Sequence, residues 1–183
     1  MEELFRIELK ENDERDIRPE SAVGGIIYKE GKVLLTYSKE FDYYMIPGGE
    51  KNTGESDCEA LVRLVAEKTG FRVDKDTVKE FGNTMVIRKT SNNEAPVVEQ
   101  DNRYYFCDLT GEDLIGKTEC CEDDEEFCIV WVNAFEASKH NEYNHKAQDK
   151  LMLAREARVL AMADGAIAKR ERRLREQKGI SEL

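Results

Sequence analysis

Four groups of residues have the types and spacing to do chemistry. Glu59, Arg63 and Glu67 recur at intervals of four, which on a helix stacks two carboxylates and a guanidinium along one face, and Glu55 lies four residues before them. Just upstream, Gly48-Gly49 follows the strand-like run Tyr43-Tyr44-Met45-Ile46-Pro47 and lets a phosphate or a cation approach the backbone closely. Lys68, next to Glu67, offers an ammonium that binds phosphate as a point charge. The run Glu122-Asp123-Asp124-Glu125-Glu126 is a further reservoir of acid, or a solvated loop.

The element that must carry the first group is legible. Ser56 with Glu59 three residues on is a capping box, and Gly70 suits the end of a helix, so a helix is expected over about residues 57 to 69. Cys58, Leu61, Val62 and Val65 are expected to face a core, with Glu59, Arg63 and Glu67 opposite and Leu64 between the two faces, where it can extend the core stripe. Glu59 and Arg63 are spaced as an i, i+4 ion pair.

The segment GEKNTGESDCEALVRLVAEKTGF, residues 49 to 71, resembles the Nudix box, a glycine, five residues, a glutamate, seven residues, then R-E-U-x-E-E-x-G-U with U bulky and apolar. Gly49, Glu55, Arg63, Val65, Glu67, Gly70 and Phe71 match in register, whereas Leu64 and Lys68 stand where the pattern has glutamates. The resemblance implies an α/β Nudix fold, an α/β/α sandwich around a mixed β-sheet, with a C-terminal helical extension. The corresponding divisions are an N-terminal extension over 1–19, the Nudix domain over 20–137 and a helical segment over 138–183.

Members of that family cleave a nucleoside diphosphate linked to another group, with Mg²⁺ or Mn²⁺ and an activated water. Carried over position by position, Glu67 is the surviving metal ligand, Gly48 offers its backbone carbonyl, and Arg63 orients Glu55. Gly49 and Lys68 are candidate ligand-binding positions, and Glu125 or Glu126 is a candidate replacement metal ligand from a late loop. Leu64 cannot ligate a cation, and loss of a general base or its equivalent typically costs ~10²–10⁴ in rate. At an effective dielectric of about 20 and about 6 Å, Lys68 opposes a dication by roughly 5 kcal/mol before screening. The expected protein is therefore a Nudix-type pyrophosphohydrolase with weak activity and a weak or absent metal site. A non-hydrolysing nucleotide-binding or regulatory protein, and a structural or oligomerisation module, remain open alternatives.

The rest of the chain sets bounds. A net charge of −11 argues against general nucleic-acid binding but not against a small phosphorylated, nucleotide-like ligand. No apolar run reaches the length of a membrane span, and the N-terminus lacks the order of a secretory signal, so a cytoplasmic location is expected. Five cysteines without framework spacing read as reduced thiols, and a zinc site from Cys120, Cys121, Cys128 and His140 lacks ligand spacing. His140 and His145 read as ordinary turn residues.

Residues Ser21 to Tyr37 form a hairpin candidate turning at Glu30-Gly31, with Val33, Leu35 and Tyr37 on one face. Extended runs follow over 77–90, 103–109 and at FCIVWV. From His145 to about Lys178 the pattern is helical, with Leu153, Leu160, Ile167 and Leu174 seven apart, mixed partner positions including Glu156, and an expected break at Asp164-Gly165. The basic end, KRERRLREQK, is a solvated tail or the interface helix of a homodimer. Tyr43, Tyr44, Arg103 and Tyr105 are the candidates for stacking on, or contacting the phosphates of, a ligand.

Overall fold

The apolar content of the central strands is sorted by two layers of helix, one on each side. A computed structural model describes residues 1–8, 16–88, 97–111 and 127–177. In chain order the strands are β1 (Glu3–Ile7), β2 (Ile17–Ile26), β3 (Tyr28–Lys29), β4 (Lys32–Ser38), β5 (Tyr43–Met45) and β6 (Gly48–Glu50). Helix α1 (Asp57–Thr69) follows, then β7 (Lys79–Arg88), β8 (Val97–Phe106), β9 (Phe127–Val132), α2 (Ala134–Glu142) and α3 (Lys150–Gln177).

A five-stranded mixed sheet has the order β1-β7-β8-β2-β6, with β2 parallel to β8, β1 parallel to β7 and the other pairs antiparallel. The second sheet pairs β3, β5 and β9 with β4. The chain crosses between sheets at Ile27, and Glu30 and Gly31 both have positive φ, 49° and 79°, as a tight hairpin turn matched to strand twist requires.

On β4, Val33 and Leu35 join Val159, Leu160 and Ala163 of α3 in one core, whereas Leu34 joins Leu61 and Val65 of α1 in the other. The expected alternation is present, but both faces are buried because the strand lies between helical layers. This is the α/β/α sandwich the sequence implied.

Two expectations about the C-terminal segment are corrected. Helix α3 begins at Lys150, after a turn in which the Asn144 side-chain oxygen accepts from the Lys146 and Ala147 amides. It also runs unbroken through Asp164 and Gly165. Packing outweighs the roughly 1 kcal/mol that a helical glycine costs, because Ala163 and Ile167 flank it in the core. Leu153, Leu160 and Ile167 are buried, but Leu174 is exposed. Among the described residues no helix is long and apolar enough to cross a membrane. Cys107 and Cys128 are buried free thiols, and Cys58 is only half-buried.

Candidate functional site

Helix α1 is fixed at its start by a capping box. The Ser56 hydroxyl accepts from the Glu59 amide at 3.3 Å, and the Glu59 carboxylate accepts from the Ser56 amide at 2.9 Å. Glu59 is thus spent on the cap and does not pair with Arg63, contrary to the spacing argument. Arg63 instead grips Glu55 with two donors, Nε at 2.8 Å and Nη2 at 2.6 Å. That bidentate contact, with the Asn52 amide, holds the Glu55 carboxyl down at about 2. Arg63 also reaches Glu67 at 3.3 Å and the Glu50 carbonyl at 3.4 Å. Glu55, Arg63 and Glu67 therefore come together as expected, and the Glu67 side chain, 54% exposed, points outward.

The apolar stripe of α1 is rotated from the expected one. Ala60, Leu61, Leu64 and Val65 are buried, while Cys58 and Val62 lie at its edges. Leu64 is 5% exposed, with Cδ2 3.1 Å from where a Cβ on Gly49 would lie, so its methyl groups fill the space beneath β6. At Gly48 a Cβ would fall 2.1 Å from the Val23 carbonyl oxygen, an approach open only to glycine.

Among the described residues, this donor set does not fit a divalent ion. Beside the glycine strand lies a hydrocarbon side chain, Glu55 is committed to Arg63, and Glu67 is followed by the exposed Lys68. Among the described residues no group of three or more His, Cys, Asp or Glu is placed to hold a metal. Glu125 and Glu126, with Cys120 and Cys121, lie outside the described residues.

On the other side of β6, a cavity of about 240 Å³ opens between the five-stranded sheet and the start of α3. Gly48, Gly49 and Glu50 form its lip, Met45, Ile46 and Met152 are apolar wall, and Gln100, Asn102, Arg155 and Glu156 bring polar side chains to it. The side chains of Arg155 and Glu156 are only 13% and 3% exposed and are ion-paired at 3.0 Å. The second Glu156 oxygen accepts from the Ile46 amide at 3.0 Å, which ties α3 to the residue preceding Pro47-Gly48. Because Arg63 holds the Glu50 carbonyl, the helix face and the cavity meet at the same short strand.

Arg155 and Glu156 were not picked out from the sequence. Glu156 read as an interruption of a heptad, although a charged pair inside an otherwise apolar helix face was itself the available signal. None of Tyr43, Tyr44, Arg103 and Tyr105 lines this cavity. Tyr44 packs against Tyr37 and His140. Arg103 and Tyr105 point to the α1 face, where with Lys51 they bond to Asp57. Burial pushes the Asp57 carboxyl up, but these three donors outweigh it and bring it to about 2. His140 is no turn residue: it lies in α2, with Nε2 2.9 Å from an Asp42 carboxylate oxygen.

A family model described as the NUDIX domain matches residues 18–155. Over 58 residues the chain is 40% identical to an ADP-ribose pyrophosphatase of Methanocaldococcus jannaschii. That match covers 30% of this chain and only 34% of the relative, so the chain spans about a third of its length. Among solved structures, the MutT protein from Bacillus halodurans aligns with a TM-score of 0.51 at 21% identity, over 73% of this chain and 79% of that one. A NUDIX hydrolase from Nitrosomonas europaea gives 0.50 at 16% identity, over 78% and 90%. At these identities the two structures speak to the fold alone.

Proposed function

The chain belongs to the NUDIX family, and on that premise we propose that it holds a nucleoside diphosphate linked to another group and hydrolyses it far more slowly than a full set of box carboxylates would allow. The nucleoside end occupies the cavity and the diphosphate crosses the Gly48-Gly49 strand towards Glu67 and Lys68. Three carboxylates, Glu50, Asp149 and Glu156, stand against the guanidinium groups of Arg88 and Arg155 in the cavity lining. That balance repels phosphate from the interior and leaves it to the backbone amides at the lip. Lys68 supplies a positive charge there that does not activate water.

The observation that carries this reading is Leu64, buried where the box pattern has a carboxylate. Family hydrolases generally use a divalent ion to polarise the phosphoryl group and activate water, and the described residues of this chain retain one outward-facing box carboxylate for that work. What they keep is the means of binding, with α1 locked to β6 through Arg63 and the cavity wall locked through Glu156 to Ile46, just past β5.

The test pairs binding with turnover. Nucleoside diphosphate sugars, with ADP-ribose among them, are expected to raise the melting temperature. Release of nucleoside monophosphate in Mg²⁺ or Mn²⁺ is expected to stay far below the common enzymatic rate of about 10 s⁻¹. Glu67→Gln removes the residual turnover and leaves binding intact. No stabilisation by any compound overturns the assignment of the cavity, and turnover at an ordinary rate overturns the weakened chemistry.

A further inference from the structure

The polar floor of the cavity has a hydrogen-bonding polarity that can be worked out group by group. A guanidinium has five N–H donors and no acceptor. In Arg155, Nε and Nη2 donate to one Glu156 oxygen at 3.2 and 3.0 Å, and Nη1 donates to Gln100 Oε1 at 3.1 Å and Asn102 Oδ1 at 2.9 Å. The arginine thereby fixes the orientation of both amides, oxygens inward. Their NH₂ groups are also committed, Gln100 to Glu20 at 3.4 Å and Asn102 to the Gln100 carbonyl at 3.2 Å. Glu156 is nearly inaccessible and its two oxygens already take three N–H donors. One Nη2–H of Arg155 has no acceptor among the described residues.

A buried ion pair is weak evidence of stability, since apolar residues of similar volume serve as well or better. Its placement against a cavity, with one donor left over, needs another reason. We propose that Arg155 is the specificity-determining residue of the site and selects a ligand whose buried ring edge carries a carbonyl. Uracil, hypoxanthine and guanine present an oxygen that takes the remaining N–H. Adenine and cytosine present an amino group at the equivalent ring position, which sets donor against donor beside a positive charge. A site built in this way rejects the wrong partner by leaving buried polar groups unsatisfied. The inference rests on the proposed function, because it takes the cavity to hold the base, and it argues against an adenine compound such as ADP-ribose as the preferred ligand.

Inosine diphosphate against adenosine diphosphate, and uridine diphosphate against cytidine diphosphate, exchange oxo for amino at the relevant position and, with it, an N–H for a bare nitrogen at the adjacent ring atom. Calorimetric titration of the whole chain is expected to show each oxo nucleotide binding roughly 10- to 100-fold more tightly than its amino counterpart, the range for a hydrogen bond to a charged group. In the double variant Arg155→Met with Glu156→Gln, which keeps an acceptor for the Ile46 amide, that preference is expected to collapse towards unity. Equal binding of all four by the natural chain, or a preference that survives in a folded double variant, overturns the role of Arg155 alone. Absence of binding by all four overturns it together with the assignment of the cavity. Should the double variant not fold, the comparison on the natural chain still decides.

Discussion

Restoring the two carboxylates, as Leu64→Glu with Lys68→Glu, tests the reading of α1 from both directions. Leu64 is 5% exposed and packs against Leu61, Val65 and the backbone of Gly49. Its replacement forfeits about 1.5–3 kcal/mol of apolar burial and sets a carboxyl group without a partner into the same space, which goes in protonated at about 1–3 kcal/mol more on the mutational scale for neutral polar groups. Taking about 3 kcal/mol as the net cost, a chain of this size loses roughly 6–12 °C in melting temperature. An ion bound between the new carboxylates, Glu67 and the Gly48 carbonyl reverses the sign. At a hundred times its dissociation constant it returns about 2.7 kcal/mol, nearly the whole deficit. Thermal melts in chelator and in Mn²⁺ should therefore show a double variant that is destabilised in the first and largely restored in the second, beside a natural chain indifferent to the ion. A natural chain stabilised by Mn²⁺ to the same extent would refute the claim that its residues do not fit a metal. A double variant that gains nothing would refute the placement of Leu64 in the ion's space.

Other outcomes follow from the same geometry. Glu55 and Asp57 lie near about 2 in the fold against 4.5 and 3.8 unfolded, so their stabilisation is present above about 4.5 and lost as pH falls towards 2. Urea titrations across that window should show stability rising with pH, with a flatter slope in Glu55→Gln. Gly48→Ala drives a Cβ into the Val23 carbonyl oxygen and should cost about 1–3 kcal/mol or more, read as a lower denaturation midpoint with β6 displaced from β2. Truncation after Ala168 removes no residue of the described core, since Ile167 is its last member, and should move the melting temperature by no more than about 2 °C. Deletion from residue 146 instead strips out Leu153, Val159 and Leu160 and should leave the chain unfolded by circular dichroism.

Local features were legible and distant ones were not. The capping box and Gly70 delimited α1 as Asp57–Thr69, because both signals act within one turn of the helix end. The meeting of Glu55 with Arg63 was implied by the resemblance to the Nudix box, whereas spacing alone paired Arg63 with Glu59. Hidden from sequence were contacts whose partners lie far along the chain. Arg103 and Tyr105 pair with Asp57 across 46 and 48 residues, and Ile46 reaches Glu156 across 110. Strand periodicity states that Tyr104 and Tyr105 face opposite ways but not which helix each will meet. The rotated stripe of α1 has a simpler cause: leucine in place of a box glutamate draws the apolar face round by one position.

Helix α3 supplies both a wall of the cavity, through Met152, Arg155 and Glu156, and the keystone of one core, through Leu153, Val159 and Leu160. Those two duties alternate along about two turns of a single element. A nascent chain that has emerged only as far as α2 possesses every box residue, the whole glycine strand and the amides of Gln100 and Asn102, yet lacks the wall that Met152, Arg155 and Glu156 supply. On the proposed function, affinity arrives in one step with the docking of this helix, and an occupied cavity in turn clamps it down. Ligand capture would then be a report that the fold has closed.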